Sequence, residues 1–452
     1  MAKRKIKSKN TLPKHLQHIN VNAAGIDVGS KSHFVAVPVG RDKESVKEFD
    51  SYTTGLNEWV AWLKKCDIDT VAMESTGVYW IPVYEILESE GFKVSLVNAR
   101  HVKNVAGRKS DVLDCQWIQE LHTYGLLAGA FRPEQSICQL RAYVRQRDNL
   151  IRYAASHIQH MQKALNEMNV QLHHAVNDIT GLTGLTIIRE IVSGEKDPNK
   201  LAMHRHYRCK KSVEEIAKAL TGNYKAEHLF SLKQSLELYD YYQVKVEECD
   251  KEIEQLLAAL PKSDPTLPMA EVKCKKKEKK NKNSPQFNVR SQVYQLCGTD
   301  LTAIDGIDEL SALKIIAEIG YDMSRWHSEK HFGSWLGLSP GTKISGGKVL
   351  SRKTKPSANR VAGILRICAN TLHRSSTALG AFLRRQKTRL GAPKAITATA
   401  YKLAKIGYRM IKYKTEYNDV GQDYYEQRYK ERVLNNLINK AKSFGLTLVE
   451  AT

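Results

Sequence analysis

The order of the short apolar runs between residues 21 and 123 constrains the fold of this chain more than any other feature. Three runs of strand length follow one another with short turns between them, at 21–27, 33–39 and 45–52. They predict an antiparallel meander. Helical and strand-like patterns then alternate: a helix at 55–65, a strand at 69–75, a helix at 78–91, a strand at 92–99 and a helix that begins near Asp111.

The predicted β-β-β-α-β-α-β-α order is typical of an α/β domain of the RNase H-like (RuvC-like) kind. Carboxylates fall at its strand ends and at a helix start: Asp27 in GIDVGSK, Glu74 in AMESTG, and Asp111 and Asp114 in RKSDVLDCQWI. Asp111 and Asp114 are three residues apart and project from one helix face. Phosphodiester cleavage by divalent cations needs such converging carboxylates. The sequence therefore predicts a metal-dependent nuclease site.

Two other interpretations of these acids stay open. Asp27 in G-I-D-x-G also fits the first phosphate loop of an actin-like or sugar-kinase ATPase, which has the same fold, although no second phosphate loop follows. Asp111 alone is equally an acid in the first turn of a helix, with Ser110 as N-cap. If Asp27 is a ligand, Gly25 and Gly29 are expected to leave room for a metal or phosphate to approach the backbone.

The charge of the chain indicates what it binds. Lys and Arg number 70 against 48 Asp and Glu, so the formal net charge is +22. This excess favours nucleic acid, because neutralised phosphates release counterions. The eight cysteines include no C-x-x-C pair and give no indication of a zinc ribbon or a disulfide framework. No membrane-spanning run or signal peptide is recognisable, so a cytoplasmic protein is expected.

The rest of the chain is predicted to be mainly helical. Long helical patterns occur at 139–168 and 234–260, consistent with an antiparallel hairpin or with a helix awaiting a partner. Between them, the basic, His-containing stretch at 204–211 is interpreted as a surface facing nucleic acid. The predicted divisions are a basic flexible arm at 1–18, the nuclease domain at 19–134, a coiled-coil or dimerisation segment with an insertion at 135–270, a Lys-rich linker at 271–291, and a C-terminal domain at 292–452.

A second candidate site lies in that C-terminal domain, in LGLSPGTKISGGKVLSRKTK. Ser345 precedes two glycines, Gly346 and Gly347, and has five cations around it in the sequence: Lys343, Lys348, Arg352, Lys353 and Lys355. These two glycines and five cations make up the set around Ser345. A serine that attacks a phosphodiester needs such cations and close backbone approach. No His or acid lies nearby as a base, so a simple phosphate-binding turn is the alternative. Upstream, 302–320 fits either a helix-hairpin-helix element that contacts phosphate or a plain helical hairpin.

Together these motifs resemble a known family. GIDVGSK, AMESTGVYW, RKSDVLDCQWI, a helical hairpin, I-x-G-I and LGLSPGTKISGGK occur in the order seen in the DEDD transposases of the IS110 insertion-sequence family. The resemblance runs from about residue 21 to about residue 415. The longer C-terminal module and KISGGKVLS are similar to its IS1111 branch.

The resemblance implies roles for particular residues. Mg²⁺ (or Mn²⁺) is implied at Asp27, Glu74, Asp111 and Asp114 of one protomer. Ser345 of another protomer is implied to attack DNA and form a phosphoserine intermediate. Arg108, Lys109 and the set around Ser345 are implied to bind nucleic acid. The implied partners are double-stranded donor and target DNA, a noncoding bridge RNA that selects both, and further copies of the chain, as a homodimer that assembles into a homotetramer at the bacterial nucleoid.

The leading prediction is therefore an RNA-guided DNA transposase that excises and inserts its own element by strand cleavage and exchange. A metal-polarised phosphate removes the need for a side-chain base, since the metal lowers the pKa of the attacking hydroxyl. The enzymatic alternative is a RuvC-like Holliday-junction resolvase, in which metals activate water and Ser345 only binds phosphate. A noncatalytic RNA-binding protein is disfavoured because all four carboxylates are present.

Overall fold

A computed structural model describes residues 18–75, 77–97, 111–263 and 282–449 of the chain. The chain forms two compact units, residues 1–132 and 133–452. The elements of the first unit are β1 (Ala23–Val28), β2 (Ser32–Ala36), β3 (Val46–Asp50), α1 (Thr53–Lys65), β4 (Thr70–Glu74), α2 (Trp80–Ser89), β5 (Lys93–Val97) and α3 (Asp111–Thr123). This is the order that the apolar runs predict.

The first unit is built on one mixed sheet with the strand order β3-β2-β1-β4-β5. The first three strands pair antiparallel, which confirms the predicted meander, while β1 pairs parallel with β4 and β4 with β5. One sheet face packs with Trp59 and Leu63 of α1 and Leu87 of α2 in a buried core, and Ile118 of α3 packs on Ala72 and Val97. A mixed five-stranded sheet with helices confirms the RNase H-like fold.

The second unit is mainly helical, as predicted. Its elements are α4 (Gln135–Glu167), α5 (Leu172–Ala175), α6 (Leu182–Ser193), α7 (Pro198–Ala202), α8 (Val213–Leu220), α9 (Ala226–Ala259), α10 (Val289–Cys297), α11 (Glu309–Ile319), α12 (Glu329–Trp335), β6 (Lys343–Ser345), β7 (Lys348–Ser351), α13 (Arg360–Thr371), α14 (Ala378–Leu390), α15 (Ala392–Tyr413) and α16 (Gln422–Ser443). None of the helices within the described ranges has the length and apolar composition of a membrane span.

The two longest helices, α4 and α9, form an antiparallel pair within the chain. Arg147 meets Asp250, the ring of His157 stacks on Tyr242, and Glu167 lies 3.3 Å from His228, so the contacts run in opposite directions along the two helices. Between the C-terminal half of α4 and the N-terminal half of α9, helices α5 to α8 add a buried apolar cluster. The structure thus shows the hairpin arrangement.

A buried ion pair joins these two helices where apolar residues are expected. Nε of Arg147 donates to Oδ1 of Asp250 at 2.5 Å, and Nη2 donates to Oδ2 at 3.2 Å. The two residues are 1% and 4% exposed. Nη2 also donates to the carbonyl of Asn283 at 2.9 Å, and Nζ of Lys282 donates to the carbonyl of Thr180 at 2.6 Å. The end of the Lys-rich stretch is thereby bound to the hairpin, whereas residues 264–281 lie outside the described residues.

Replacing Arg147 by Met is expected to lower the free energy of unfolding of the helical unit by about 3–5 kcal/mol, because it leaves the Asp250 carboxylate buried without its partner. Guanidinium unfolding followed by helical circular dichroism measures the change. The double variant Arg147→Met, Asp250→Leu removes both charges and is expected to recover most of the loss.

Arg145→Met is the matched control, since Arg145 also pairs bidentately, with Glu318 at 2.8 and 2.7 Å, but is partly exposed. Its loss is expected to lower the unfolding free energy by about 1 kcal/mol or less. Equal, small losses in Arg147→Met and Arg145→Met would contradict the assignment of Arg147 as a buried structural charge.

The last helix of the predicted C-terminal domain, α16, lies on the surface of that domain. Helix α16 has no buried residue. Its N-terminal half contacts α14 through two tyrosines. The ring of Tyr425 meets the ring of Phe382 edge-on, and the ring centroid of Tyr429 lies 3.3 Å from Cζ of Arg385. The sequence of this helix is rich in charged and amide side chains, so it offers too little apolar surface for a second packed face.

Candidate active site

The carboxylates of β1 and β4 lie at the same end of the sheet. Ile26 of β1 and Met73 of β4 are Cα partners in the parallel ladder, so the next residues, Asp27 and Glu74, follow at the same level. Adjacent strands are separated by about 4.8 Å. The topology therefore brings these two predicted residues side by side, as the strand order suggests.

Both carboxylates face α3. Side chains alternate between the two faces of a strand. Ala24, Ile26 and Val28 enter the core with α1 and α2, so Gly25 and Asp27 project to the opposite face. In β4, Val71 and Met73 belong to that same core, whereas Ala72 packs on Ile118 of α3. Glu74, which is 9% exposed, projects to the side of Ala72 and α3.

Gly25 serves the packing of α3. A Cβ atom on Gly25 would lie 2.2 Å from the amide nitrogen of Gln119 and 2.4 Å from the carbonyl oxygen of Cys115. A Cβ on Gly29 would lie 2.4 Å from the carbonyl oxygen of Ser32. The expectation that these glycines leave room for a metal or phosphate is wrong, because the space is filled by backbone of the protein. The absent side chain instead lets α3 approach β1 and brings its acidic first turn toward Asp27.

The pKa of the Cys115 thiol is affected by charges from both β1 and α3. Burial raises the pKa of Cys115 to about 12, and the charges of Asp27 and, to a smaller extent, Asp114 contribute in the same direction. Asp114 and Asp111 both lie in the first turn of α3, where acids are favoured by the helix dipole. Asp27 of β1 and Asp114 of α3 therefore both lie near the buried Cys115 thiol.

The spacing of the candidate ligands bears on metal binding. Within 18–75, 77–97, 111–263 and 282–449, no three His, Cys, Asp or Glu side chains come close enough together to hold a metal ion. The donor chemistry nonetheless fits a hard cation, because carboxylate oxygens are the ligands that Mg²⁺ and Mn²⁺ favour. Asp27, Glu74 and the acidic first turn of α3 lie on the same side of the sheet, and metal binding by Asp27, Glu74, Asp111 and Asp114 stays a prediction.

Ser345 lies at the end of a short exposed hairpin, β6–β7. Gly346 and Gly347 connect the strands with φ of +53° and +75°, both in the left-handed region that a two-residue type I′ turn requires. Ser345 pairs with Lys348, and Ile344 pairs with Val349. By alternation along the strand, Ser345 shares a face with Lys343 and Lys348. The hairpin therefore presents the serine hydroxyl to solvent between two cations.

The two arms of this hairpin pair at its base, which is linked to the end of α12. Pro340 and Thr354 form an isolated bridge, Gly341 donates its amide to the carbonyl of Lys353, and the hydroxyl of Ser357 donates to the carbonyl of Leu336 at 3.0 Å. Lys343, Lys348, Arg352, Lys353 and Lys355 are all exposed. The predicted cations thus lie together on the β6–β7 hairpin and on the residues that follow β7. Arg108 and Lys109 lie outside the described residues.

The I-x-G-I segment forms a tight turn between two helices. Gly306 has φ of +90°, and a Cβ there would lie 2.8 Å from the carbonyl of Cys368 in α13. Asp308 then caps α11 by accepting from the amide of Ser311. The turn connects α10, a 3-10 turn at Leu301–Ala303, and α11. This arrangement fits both interpretations of the segment, and phosphate binding by it stays a prediction.

Two features of the structure were not predicted from the sequence. The first is the β6–β7 hairpin, although KIS, GG and KVLS carry the pattern of a two-residue hairpin. The second is the pair Arg147 and Asp250, although each places a charge at a position of apolar helical spacing. Arg147 falls between Val144 and Leu150, and Asp250 falls between Val246 and Ile253. Opposite charges at core positions of two long helices are the signal for such a pair.

An RNase H-like domain with acids at the ends of β1 and β4 and in the first turn of α3, joined to a helical domain, defines a protein of the nuclease-fold class. A transposase family model for the DEDD domain of IS110-type elements matches residues 24–170. A second, described as the transposase IS116/IS110/IS902 family, matches residues 298–383. The chain belongs to the IS110 family of DEDD transposases, which cleave and join DNA. No curated protein matches the chain.

Proposed function

We propose that this transposase belongs to the IS1111 branch and is an RNA-guided recombinase that exchanges DNA strands through a phosphoserine intermediate. The observation that carries the proposal is the position of Ser345, exposed on a basic hairpin anchored at its base. A serine that only bound phosphate would not need to stand at the end of a projecting hairpin. An attacking hydroxyl has to reach a phosphorus atom within a DNA backbone.

The proposed step is a transesterification. The Oγ atom of Ser345 forms a bond with the phosphorus of the scissile phosphodiester, and the bond from that phosphorus to one sugar oxygen breaks. The serine proton ends on the departing sugar oxygen. Lys343 and Lys348, which share the serine's face, stabilise the negative charge on the phosphoryl oxygens. A sugar hydroxyl of the recipient strand then displaces the serine, so that the number of phosphodiester bonds is unchanged.

Asp27, Glu74, Asp111 and Asp114 are proposed to hold Mg²⁺ or Mn²⁺. Such a cation neutralises charge on the phosphate and lowers the pKa of a hydroxyl beside it. The role of the chain's own residues is to position the donors: β1 and β4 set Asp27 and Glu74 at one level, and the missing side chain of Gly25 lets α3, which carries Asp111 and Asp114, pack on β1.

Target choice is proposed to come from a noncoding RNA encoded beside the gene. Base pairing of such a guide reads sequence, while basic protein surfaces hold the backbones of RNA and duplex DNA. The net charge of +22 fits two polyanionic partners. We further propose a homodimer that assembles into a homotetramer at the bacterial nucleoid, so that four copies of Ser345 serve the four strands exchanged, each acting with carboxylates of another protomer.

The guide is tested by expressing the gene with its flanking noncoding DNA, purifying the protein in high salt and sequencing the RNA that stays bound. One discrete RNA encoded in the flank is expected, because a guide is held by shape and base contacts as well as by salt-sensitive phosphate contacts. The same protein expressed without the flanks is the control and is expected to carry no such RNA. Random cellular RNA in both preparations would refute RNA guidance and favour a junction resolvase.

A further inference from the structure

The loop that joins α7 to α8, residues 203–211, is called here the tip loop. Residues 198–213, which contain it, include five Lys or Arg and no Asp or Glu. Lys200 and Lys211 pair with carboxylates outside this stretch, Glu195 and Glu215. Arg208 and Lys210 are exposed and have no carboxylate partner in the described part of the chain. The tip loop thus presents uncompensated positive charge.

Hydrogen bonds within the tip loop and to α6 hold its backbone in place. Nε of Arg205 donates to the carbonyl of Lys211 at 2.6 Å, and its Nη2 donates to the carbonyl of Cys209 at 2.7 Å. The amide of Cys209 donates to the carbonyl of His206 at 2.8 Å. The amide of His206 donates to the Thr183 hydroxyl in α6 at 3.1 Å, and Cys209 packs on the buried apolar cluster to which α5 to α8 contribute. The loop is therefore ordered before any partner binds.

This ordered loop exposes an aromatic ring among its cations. Tyr207 is 72% exposed. The His206 ring lies 4.3 Å from the Tyr207 ring, centroid to centroid, and the Arg208 guanidinium carbon lies 5.2 Å from the Tyr207 centroid. An exposed ring beside guanidinium and imidazole planes is the arrangement on which unpaired bases stack, with phosphates held by the cations. Because the loop is already ordered, binding loses little further conformational entropy.

We infer that the tip loop is a stacking site for an unpaired base of RNA, with Tyr207 as the platform and Arg208 and Lys210 as phosphate contacts. Duplex DNA does not offer base faces, since its bases are stacked within the helix, whereas folded RNA exposes them in loops and bulges. This inference rests on the proposed function for its ligand, and it assigns part of that ligand's contact to the second unit.

The test uses fluorescence anisotropy of the full-length protein with a short oligouridine RNA, oligothymidine DNA of the same length and a short DNA duplex. Tyr207→Ala is expected to weaken oligouridine binding by about 10-fold, the loss of one base stack. Tyr207→Phe keeps the ring and is expected to bind as the unchanged protein does. Duplex binding is expected to stay the same in both variants, because phosphate contacts dominate there.

Tyr241→Ala is the matched control. Tyr241 lies on α9, is 55% exposed and has the Lys245 ammonium 5.5 Å from its ring centroid, so it repeats the aromatic and cationic pair. It is surrounded by acids instead, with Asp240 beside it and Glu248 bound to Lys245 at 2.9 Å. Its loss is expected to leave oligouridine binding unchanged. Thermal unfolding of each variant verifies that these exposed positions do not alter the fold.

Three outcomes overturn the inference. If Tyr207→Ala binds oligouridine as tightly as the unchanged protein, Tyr207 is not a stacking platform. If Tyr241→Ala loses as much oligouridine affinity as Tyr207→Ala, the effect is not specific to the tip loop. A larger loss for oligothymidine than for oligouridine assigns the loop to single-stranded DNA. If no flank-encoded RNA copurifies while Tyr207→Ala still weakens oligouridine binding selectively, RNA guidance fails and the stacking site stands.

Discussion

Ser345→Ala is expected to lower the rate of strand transfer by about 10³-fold or more, because removing a catalytic nucleophile eliminates the covalent route. The measurement is strand exchange by the purified protein with its bound RNA, on DNA that carries the ends of the element. The unchanged protein is expected to form a covalent adduct with DNA that survives denaturing electrophoresis. Ser345→Ala is expected to form none.

Ser351→Ala is the control for this experiment. Ser351 lies on the same hairpin, opposite Lys343, and its hydroxyl oxygen accepts from the amide of Lys353 at 3.2 Å. Ser351→Ala removes a serine hydroxyl from the same basic hairpin, as Ser345→Ala does. It is expected to leave the formation of the covalent adduct unchanged. If Ser345→Ala cuts DNA as fast as Ser351→Ala, the serine only binds phosphate, and a resolvase that uses water replaces the recombinase.

Glu74→Gln is expected to lower DNA cleavage by about 10³-fold, since a metal contributes several kcal/mol of charge stabilisation and each 1.36 kcal/mol is tenfold in rate. The amide retains the shape of the carboxylate, so the sheet is expected to fold as before. Thermal unfolding supplies a second measurement that is independent of activity. Mg²⁺ is expected to raise the melting temperature of the unchanged protein by binding only its folded state, and to raise that of Glu74→Gln far less.

Glu48→Gln makes the matched comparison in the same sheet. Glu48 is an exposed carboxylate on the edge strand β3, paired with Phe34 of β2 and distant in strand order from β4. Cleavage and the Mg²⁺-dependent rise in melting temperature are both expected to persist. A Glu74→Gln protein that cleaves normally, or that Mg²⁺ stabilises as strongly as Glu48→Gln, would show that Glu74 is not a metal ligand.

Local sequence patterns were sufficient to predict the first unit. Strands and helices of an α/β domain bury their apolar side chains at periods of 2 and 3.6 residues, so the order β-β-β-α-β-α-β-α is readable without a structure. The same order put Asp27 and Glu74 at strand ends. Whether they share a face depended on the register Ile26 to Met73, which is a property of the paired strands and of neither strand alone.

The atoms that fill the space beside Gly25 could not be predicted from the sequence. A glycine next to a carboxylate has room around it, but the residue itself does not say whether ligand or protein fills that room. The approaching atoms belong to Gln119 and Cys115, far along the chain. Close packing in interiors makes such distant contacts decisive, because a single added carbon has no space to occupy.

The amino-acid order was sufficient to predict the fold class of the first unit, the mainly helical character of the second, the net positive charge and the candidate catalytic side chains. These follow from periodicity, charge and residue chemistry, which are local. Three-dimensional packing was needed to show that Asp27 and Glu74 face α3, that Arg147 and Asp250 neutralise each other inside the helix pair, and that Ser345 lies on an exposed hairpin. Each of these depends on contacts between residues distant in the chain, and such contacts form only when the elements pack.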